Sequence, residues 1–370
     1  MAYKLSAYRT HTATPPTTSR SLIRARAPLR ISFAGGGTDL PSYYEEHGGT
    51  VLCSTINRYA SVTLAPRHDQ QVRICSLDFD LIVKYGLDEE PIYDGTLDLA
   101  KAAIARLNGR SSSAGGKSHD AAGGGLDIYL QSDAPAGSGM GGSASMTIAV
   151  IGALAEMLGR RLGKYEIAEL AYAVERSDLG ISGGRQDQYT TAFGGFNLIE
   201  FSKERVVVNP LRIDKDILND LEEHLMLCYT GRTRFSAGLI KKQEGMYRDG
   251  RAETVAGLGE LRRVAYDMKD ALLTGNLKEF GALLDVAWKS KQRANPDISD
   301  DTISEMYETA RRHGAMGGKL LGAGGGGYLL FFCQVGRRRD VREKLEQMGG
   351  QFTDFAFREE GLQVWRSACP

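Results

Sequence analysis

The chain of 370 residues is long enough for two domains of ordinary size. Hydrophobic residues make up 42% and charged residues 25%, which is a globular composition and excludes disorder along the whole chain. Lysine plus arginine and aspartate plus glutamate both number 46, and this zero balance argues against a protein that coats nucleic acid or anionic lipid. No apolar run approaches about 18 residues, and residues 1–20 lack the apolar stretch of a signal peptide, so we predict a cytoplasmic protein without a membrane span.

Glycine is the outlier of this composition, with 45 residues, about 12% of the chain against the ~7% usual in proteins. The glycines form clusters without a fixed period, which excludes a collagen-like repeat. The five cysteines are scattered without a C-x-x-C pair, which is typical of a reducing compartment and argues against a zinc site. Gly-rich loops are therefore the feature that a function has to explain.

In the first half of the chain, predicted strands and helices follow a tail that we expect to be disordered over residues 1–21. The stretch 109–125 is hydrophilic and of low complexity, which predicts a flexible surface insertion. Apolar residues recur at helical spacing in 143–158 and 164–177 and predict two helices there. The predicted strands are 22–34, 51–64, 72–83, 126–130 and 196–201, and the other predicted helices are 97–107 and a short one before residue 48.

A more polar stretch around Pro210 predicts a domain boundary, with one domain over residues 22–205 and another over 211–370. In the second domain, strands are predicted at 224–229 and 328–333, followed by two short strands near the end. The predicted helices are 233–248, 252–273, 277–293, 300–313 and 337–348. Helices and strands interleave in both domains, which predicts a mixed α and β class.

Three Gly-rich segments stand out, at residues 35–37, 135–145 and 322–327. The second lies between a predicted strand and the predicted helix that starts at 143. Backbone N–H groups at a helix start are unpaired, and the helix dipole adds roughly half a positive charge there. This combination predicts a cradle for an anion such as a triphosphate; the alternative is a tight turn with Ser143 as a helix cap.

Gly137, Gly139 and Gly142 also match the G-x-G-x-x-G pattern of dinucleotide-binding folds, which leaves an NAD(P)-dependent oxidoreductase as an alternative. That fold requires a strand with an acidic end about 20 residues further on, and here a second helix is predicted instead. The G-x-x-x-x-G-K-[ST] phosphate motif is not present in the sequence.

Three carboxylates and one arginine are candidates for chemistry. Glu175 falls on the apolar stripe of its helix and therefore needs a buried cation, either an arginine or Mg²⁺. Asp187 lies in a polar loop and can accept the proton of an attacking hydroxyl, or cap a helix. Asp39 follows three glycines and can accept two sugar hydroxyls, or cap the next helix. Arg30 is either a surface charge or a group that orients Asp187 and stabilises charge on a phosphoryl group.

Together these segments resemble the GHMP superfamily of small-molecule kinases, which includes galactokinase, homoserine kinase, mevalonate kinase and phosphomevalonate kinase. Its first motif is similar to residues 27–39, its second to 135–145 and its third to 322–327, and the resemblance spans about residues 22–366. It implies an α+β fold of two domains, the first like ribosomal protein S5 domain 2 and the second ferredoxin-like, with ATP between them.

The resemblance also implies roles for single residues. Asp187 and Arg30 are the implied catalytic residues, and Ser143 and Glu175 are the implied Mg²⁺ ligands. The implied ATP-binding residues are Pro135, Gly137, Ser138, Gly139, Met140, Gly141, Gly142, Ser143, Ala144 and Ser145. The implied acceptor-binding residues are Gly36, Gly37, Thr38, Asp39, Gly324 and Gly325. Arg185 and Lys319 are added as candidates for acceptor binding, at a second phosphate, because of their charge and their position near Gly-rich segments.

Within the superfamily, residues 27–49 are most similar to D-glycero-α-D-manno-heptose 7-phosphate kinases. The implied reaction moves the γ-phosphoryl group of MgATP to the anomeric hydroxyl and gives the 1,7-bisphosphate, for nucleotide-heptose synthesis toward bacterial capsule or lipopolysaccharide. Kinases of the L-fucokinase type share a similar first motif and stay open, as does a catalytically silent nucleotide-binding module. The implied partners are ATP and a sugar phosphate, without nucleic acid or membrane, and a homodimer is left open.

Overall fold

The computed structural model describes residues 21–108, 124–233 and 237–368. The expected disordered tail lies outside these residues except for residue 21, and so does the expected insertion except for residues 124 and 125.

The described strands form two sheets. The strands of the first sheet are β1 (Ser21–Ala34), β2 (Gly49–Pro66), β3 (Gln71–Ser76), β4 (Leu81–Gly86), β5 (Leu126–Ser132), β6 (Phe196–Phe201), β7 (Val206–Pro210), β12 (Phe357–Arg358) and β13 (Gln363–Ala368). Those of the second sheet are β8 (Leu225–Tyr229), β9 (Ala315–Leu320), β10 (Tyr328–Cys333) and β11 (Gln351–Thr353).

The first sheet follows the order β13-β1-β2-β5-β3-β4, with β6 and β12 also paired to β2, and β7 paired to β6. Its pairs are antiparallel except for β3 and β5, which run parallel. β1 pairs with β13 so that Ser21 lies opposite Ala368. Because β7, β12 and β13 lie beyond residue 205, this sheet takes strands from both sides of the expected domain boundary.

The second sheet has the antiparallel order β11-β8-β10-β9. Numbered by their place in the chain, these strands follow the order 4-1-3-2, with helices between the first and second and between the third and fourth. This is the arrangement of a ferredoxin-like fold, so the expected α+β class with a ferredoxin-like second part is confirmed.

The α-helices pack on these sheets and on each other. They are α1 (Pro41–His47), α2 (Asp98–Leu107), α3 (Gly142–Met157), α4 (Lys164–Ala173), α5 (Gln186–Phe193), α6 (Lys215–His224), α7 (Ala237–Arg248), α8 (Ala252–Leu273), α9 (Leu277–Ala294), α10 (Asp301–His313) and α11 (Arg338–Gln347). A π-helical turn, Val174–Asp178, continues α4, and a 3₁₀ turn, Pro296–Ile298, follows α9. Among the described residues, no helix is long and apolar enough to cross a lipid bilayer.

The sequence-based prediction is wrong for several elements whose hydrophobic pattern is weak. The strand predicted at 72–83 is a hairpin of β3 and β4, because the turn between them contains Asp80 with a positive φ of 50°. β7, β9, α5 and α6 were not predicted, and Asp187, expected in a polar loop, lies in the first turn of α5. In β9, Gly317 hides the strand pattern, and a methyl group built there would lie 2.0 Å from the carbonyl oxygen of Gly281 on α9. Glycine at this position therefore lets α9 pack closely on the strand.

β1 carries the first motif through the interior of the molecule. Residues 27–34 are buried without alternation, because α3 packs on one face of the strand and α8 and α9 pack on the other. Phe33 stacks on Phe196 with ring centroids 5.8 Å apart and meets Phe280 of α9 edge-on at 5.4 Å. Arg30 lies in this buried stretch, so its position is set by the core on both sides of the sheet.

Candidate active site

The Gly-rich segment 135–145 connects β5 to α3 and has the backbone of an anion cradle. Gly137, Gly139 and Gly141 have positive φ angles of 73°, 82° and 75°, which favour glycine. α3 begins after Gly141 without a side-chain cap, so the alternative of Ser143 as a helix cap is wrong. A methyl group built on Gly142 would meet no atom within 4 Å. There is thus open space beside the first turn of α3, whose N–H groups lack partners within the helix, and anion binding there stays a prediction.

Arg30 and Asp187 meet at this loop. Both Nε and an Nη atom of Arg30 lie 2.8 Å from Oδ1 of Asp187, and the guanidinium also donates to the carbonyl oxygen of Gly139. A methyl group on Gly141 would lie 3.1 Å from Cγ of Arg30 and 3.5 Å from Cγ of Asp187. The Arg30 side chain is 3% exposed and that of Asp187 28%, so the carboxylate is the solvent-facing member of the pair. An anion in the cradle would therefore lie close to both a carboxylate and a fixed guanidinium.

Asp39 holds the start of α5, the helix whose first turn carries Asp187. Oδ2 of Asp39 accepts a hydrogen bond from the backbone N–H of Gln186 at 3.0 Å, and Oδ1 accepts one from Gly37 at 2.9 Å. Asp39 is 2% exposed, and burial raises the pKa of its carboxyl group while the two backbone donors act to lower it. A methyl group on Gly184 would lie 1.9 Å from Oδ2 of Asp39, so glycine permits this contact.

The third Gly-rich segment packs against the cradle. A methyl group on Gly322 would lie 2.5 Å from Cα of Gly139, and one on Gly327 would lie 2.3 Å from the carbonyl oxygen of Ser138. The backbone N–H of Tyr328 donates to the same carbonyl oxygen at 3.1 Å. The two loops are therefore packed backbone against backbone, and the glycines of each keep that distance short.

Gly324 and Gly325 lie against the turn that follows α9 rather than against the cradle. A methyl group on Gly324 would lie 2.5 Å from Cβ of Ile298, and the N–H of Gly325 donates to the carbonyl oxygen of Ile298 at 2.7 Å. Their implied role in acceptor binding stays a prediction.

The sequence matches two family descriptions that together fit this geometry. "GHMP kinases N terminal domain" matches residues 98–195, and "GHMP kinases C terminal" matches residues 268–351. A D-glycero-alpha-D-manno-heptose 7-phosphate kinase of Campylobacter jejuni is 36% identical over 93% of this chain and 99% of its own length. This chain belongs to the GHMP kinase family. Kinases of this family use ATP as phosphate donor, generally with Mg²⁺.

Two further relatives align with most of this GHMP kinase. The crystal structure of a D-glycero-D-manno-heptose 1-phosphate kinase from Bacteroides thetaiotaomicron has a TM-score of 0.76 and 32% identity, over 94% of this chain and 100% of that one. The L-fucokinase/L-fucose-1-P guanylyltransferase of Bacteroides fragilis is 27% identical over 94% of this chain, which spans 39% of that longer protein.

The dinucleotide-binding alternative does not fit this GHMP kinase. After the G-x-G-x-x-G segment and α3, the chain forms α4 and a π-helical turn instead of a second parallel strand. The flanking strand β5 pairs antiparallel with β2 and parallel only with β3. A dinucleotide fold needs parallel strands on both sides of the crossover. The G-x-G-x-x-G pattern was therefore the only support for that alternative.

Glu175 faces inward, as its place on the apolar stripe predicts. It is 4% exposed and lies in the π-helical turn after α4. Its oxygens accept hydrogen bonds from Gln188 at 2.9 Å and from Arg176 at 3.1 Å. Burial raises the pKa of its carboxyl group, and Arg176 acts in the opposite direction. The arginine partner is thus present, while the role of Glu175 and Ser143 as Mg²⁺ ligands stays a prediction.

Some side chains of the implied ligand-binding residues are engaged inside the protein. The hydroxyl of Thr38 donates to the carbonyl oxygen of Gly35 at 2.7 Å and accepts from the N–H of Thr50 at 3.0 Å. The hydroxyl of Ser145 donates to the carbonyl oxygen of Pro28 at 2.9 Å. Within the cradle segment, the buried residues are Ser138, Met140, Ala144 and Ser145. The hydroxyl groups of Thr38 and Ser145 are therefore engaged by the protein's own backbone.

Arg185 lies next to the site but is bound to other side chains. Its guanidinium lies 2.9 Å from Oε1 of Glu169 and 4.3 Å from the centre of the Tyr172 ring. The role of Arg185 in acceptor binding stays a prediction.

Two buried lysines lie near the motifs: Lys319, which the sequence offered as a candidate for a second phosphate, and Lys291, to which it gave no role. Nζ of Lys319, on β9, donates to the carbonyl oxygens of Ser32 at 2.7 Å and Phe33 at 2.9 Å. Nζ of Lys291, on α9, donates to Leu320 at 3.3 Å and also to Gly322. Neither ammonium group has a carboxylate within ion-pair distance in the described parts of the chain. The lysines therefore tie the second sheet and α9 to the first and third motifs through backbone carbonyls.

Burial lowers the pKa of Lys291 to about 7 from an ordinary value of 10.5, with a further lowering by the charge of Arg30. Lys319 shifts in the same direction, again mainly because of burial. The unfolded chain thus keeps the Lys291 proton up to about pH 10.5, whereas the folded chain releases it near pH 7. Since unfolding takes up a proton between these values, Lys291 makes the folded state more stable as the pH rises from 7 to 10.

We expect Lys291→Met to reduce this rise in the free energy of unfolding by up to about 1.4 kcal/mol per pH unit. The measurement is denaturant unfolding at several pH values between 7 and 10. Lys289→Met is the matched control, since Lys289 lies on the same helix with its side chain 69% exposed. Parallel pH curves for wild type and Lys291→Met would contradict the assignment.

Proposed function

We propose that this GHMP kinase transfers the γ-phosphoryl group of ATP to the anomeric hydroxyl of D-glycero-α-D-manno-heptose 7-phosphate, giving the 1,7-bisphosphate and ADP. The observation that supports phosphoryl transfer at this site is the Arg30–Asp187 pair at the edge of the cradle, 2.8 Å between Nη and Oδ1. The acceptor is inferred from the C. jejuni relative, which is named a heptose 7-phosphate kinase and aligns over 93% of this chain.

In this proposal the cradle binds the phosphates and Asp187 receives the acceptor hydroxyl. As the anomeric oxygen forms its bond to the γ-phosphorus, its proton passes to Asp187, and the bond from that phosphorus to the β–γ bridging oxygen breaks to release ADP. Arg30 holds Asp187 in place and offsets negative charge on the transferred group. A general base typically contributes ~10²–10⁴-fold to such a rate.

The donor set fits Mg²⁺ bound together with nucleotide phosphates. Such an ion takes only one or two protein ligands and completes its shell with phosphate oxygens and water. Ser143, exposed in the first turn of α3, and the Glu175 carboxylate would hold it. When bound, Mg²⁺ would offset charge on the phosphate oxygens. In the described parts of the chain, no cluster of three or more carboxylates, histidines or cysteines competes as a metal site.

An L-fucose 1-kinase is the second candidate. It is supported by the B. fragilis relative, which is 27% identical over 94% of this chain. The heptose 7-phosphate assignment is favoured because the C. jejuni relative is more similar, at 36%, and matches over almost its full length.

The deciding experiment is an acceptor panel with MgATP, containing heptose 7-phosphate, the same heptose without phosphate, L-fucose, D-galactose and mevalonate. ADP release gives kcat/KM for each acceptor, and phosphorus NMR locates the new phosphate. We expect the highest kcat/KM with heptose 7-phosphate and a new phosphate on the anomeric oxygen. A higher kcat/KM with L-fucose, or a product phosphorylated elsewhere, would overturn the proposal.

A further inference from the structure

Within residues 21–108, 124–233 and 237–368, three buried polar atoms without hydrogen-bond partners converge on the first motif. They are Oγ of Ser32, Oε1 of Gln186 and Nε2 of Gln243. A methyl group built on Gly36 would lie 3.5 Å from Oγ of Ser32 and 3.7 Å from Oε1 of Gln186. One built on Gly37 would lie 2.9 Å from Nε2 of Gln243. Three separate elements, β1, α5 and α7, thus bring one unsatisfied group each to two neighbouring glycines.

Unsatisfied buried polar atoms are uncommon in folded proteins, because each one loses its hydrogen bonds to water without replacement. Three of them at one place indicate a partner that the described residues do not supply, such as a bound ligand. The same place borders Asp39 and the first turn of α5, where Asp187 lies, because Nε2 of Gln186 is 3.5 Å from Oδ1 of Asp39. The missing partner is therefore within reach of the proposed reaction centre.

We infer that Ser32, Gln186 and Gln243 form a hydroxyl-reading trio that selects the acceptor by its ring hydroxyls. This inference rests on the proposed function, since it assigns specificity within the proposed acceptor site. All three groups are uncharged, so they suit neutral hydroxyls rather than a phosphate. A hydroxyl and a carboxamide each donate and accept, so they match sugar hydroxyls, which also do both.

Gln243 extends the acceptor site to the second half of the chain. It lies on α7, four residues from Leu239 and four from Tyr247, which are both buried, so the glutamine is on the inward stripe of that helix. Its amide lies against Gly37 beside Leu258 of α8. The trio therefore contacts the acceptor from two sides, with Ser32 of β1 and Gln186 of α5 on one side and Gln243 of α7 on the other.

Ser32→Ala separates a ligand role from a structural one. A hydroxyl that stabilised the folded protein would lower the melting temperature when removed, whereas removal of an unsatisfied buried hydroxyl leaves it unchanged or raises it. We expect an unchanged or higher melting temperature together with an acceptor KM raised about 3- to 10-fold. The KM for ATP should stay within about twofold, because Ser32 does not border the cradle.

Gln243→Leu tests the second side of the site. We expect the acceptor KM to rise about 3- to 10-fold, again with little change in the KM for ATP or in the melting temperature. Gln347→Leu, an exposed glutamine in the last turn of α11, is the matched control and should change none of these values. Deoxy analogues of the acceptor supply the sharper readout: at one ring position the wild type should discriminate against the analogue, and Gln243→Leu should lose that discrimination.

The assays use the acceptor that the wild-type enzyme turns over fastest in the panel, and direct calorimetric binding of that acceptor accompanies them. If heptose 7-phosphate is not that acceptor, the proposed function fails while the trio is still tested with the sugar that is. If heptose 7-phosphate is turned over but Ser32→Ala and Gln243→Leu leave its KM and binding constant unchanged, the inference on the trio is overturned. A fall in melting temperature without a change in acceptor binding would overturn it as well.

Discussion

Asp187→Asn is expected to lower kcat at least ~100-fold with heptose 7-phosphate and ATP. An amide cannot take up the proton of the acceptor hydroxyl, and it removes the negative charge that pairs with Arg30. Asparagine keeps the size of the side chain and an oxygen that can accept from Arg30, so the fold and the KM for ATP should change little. Steady-state kinetics and thermal melting of the same preparation measure both parts of this expectation.

Asp216→Asn is the control for this substitution. Asp216 also lies in the first turn of a helix, α6, where a carboxylate interacts favourably with the helix dipole, but it is exposed and far along the chain from the motifs. Both variants lose that dipole interaction, so a larger effect of Asp187→Asn reports the loss of the reacting group and of the charge paired with Arg30. A near-wild-type kcat for Asp187→Asn would remove Asp187 from the proposed role.

Gly139→Ala is expected to lower kcat/KM for ATP by at least ~100-fold and to destabilise the fold by about 2–4 kcal/mol. Gly139 has φ +82°, and its new methyl group would lie 2.6 Å from the carbonyl oxygen of Leu321. Because that oxygen belongs to backbone, the clash moves the third Gly-rich segment away from the cradle. ATP binding by calorimetry and the free energy of unfolding test the two effects separately.

Gly159→Ala isolates the backbone strain from the clash. Gly159 has a similar φ of +64°, but a methyl group there would meet no atom within 4 Å. We expect a cost of about 1–2 kcal/mol in stability and no change in ATP binding. Equal losses of ATP binding in the two variants would mean that contact between the two loops does not matter for the cradle.

The sequence predicts the parts of the site that are local in the chain. A Gly-rich loop before a helix has the same backbone consequences in any fold, so the tight turn and the helix start at residues 137–142 could be expected without a structure, while anion binding there stays a prediction. Glu175 could be placed inside because helical spacing alone determines which face it occupies. Asp187 and Arg30 became candidates through motif resemblance, but their 2.8 Å contact joins residues 157 positions apart and needed the fold.

The residues that the sequence analysis missed are polar groups on apolar helix faces. Lys291 follows Leu284 and Ala287 on the buried stripe of α9, and Gln243 lies between two buried residues on α7. That spacing was visible in the sequence, but it does not say which neighbour a polar group meets. Lys319 was singled out only for its charge near a Gly-rich segment, and its contacts with the Ser32 and Phe33 carbonyls were not foreseen because the glycines of β9 hid that strand.

The pairing of β1 with β13 sets a condition on how this protein is made. Residues 24–26, just ahead of the first motif, have their partners at residues 363–365, so that edge of β1 stays uncovered until translation reaches them. At roughly 5–20 residues per second, the ribosome needs tens of seconds to make the intervening chain. During that time β1 offers free backbone N–H and C=O groups to any other strand, including another nascent copy. Chaperone supply and translation speed should therefore affect the yield of folded protein.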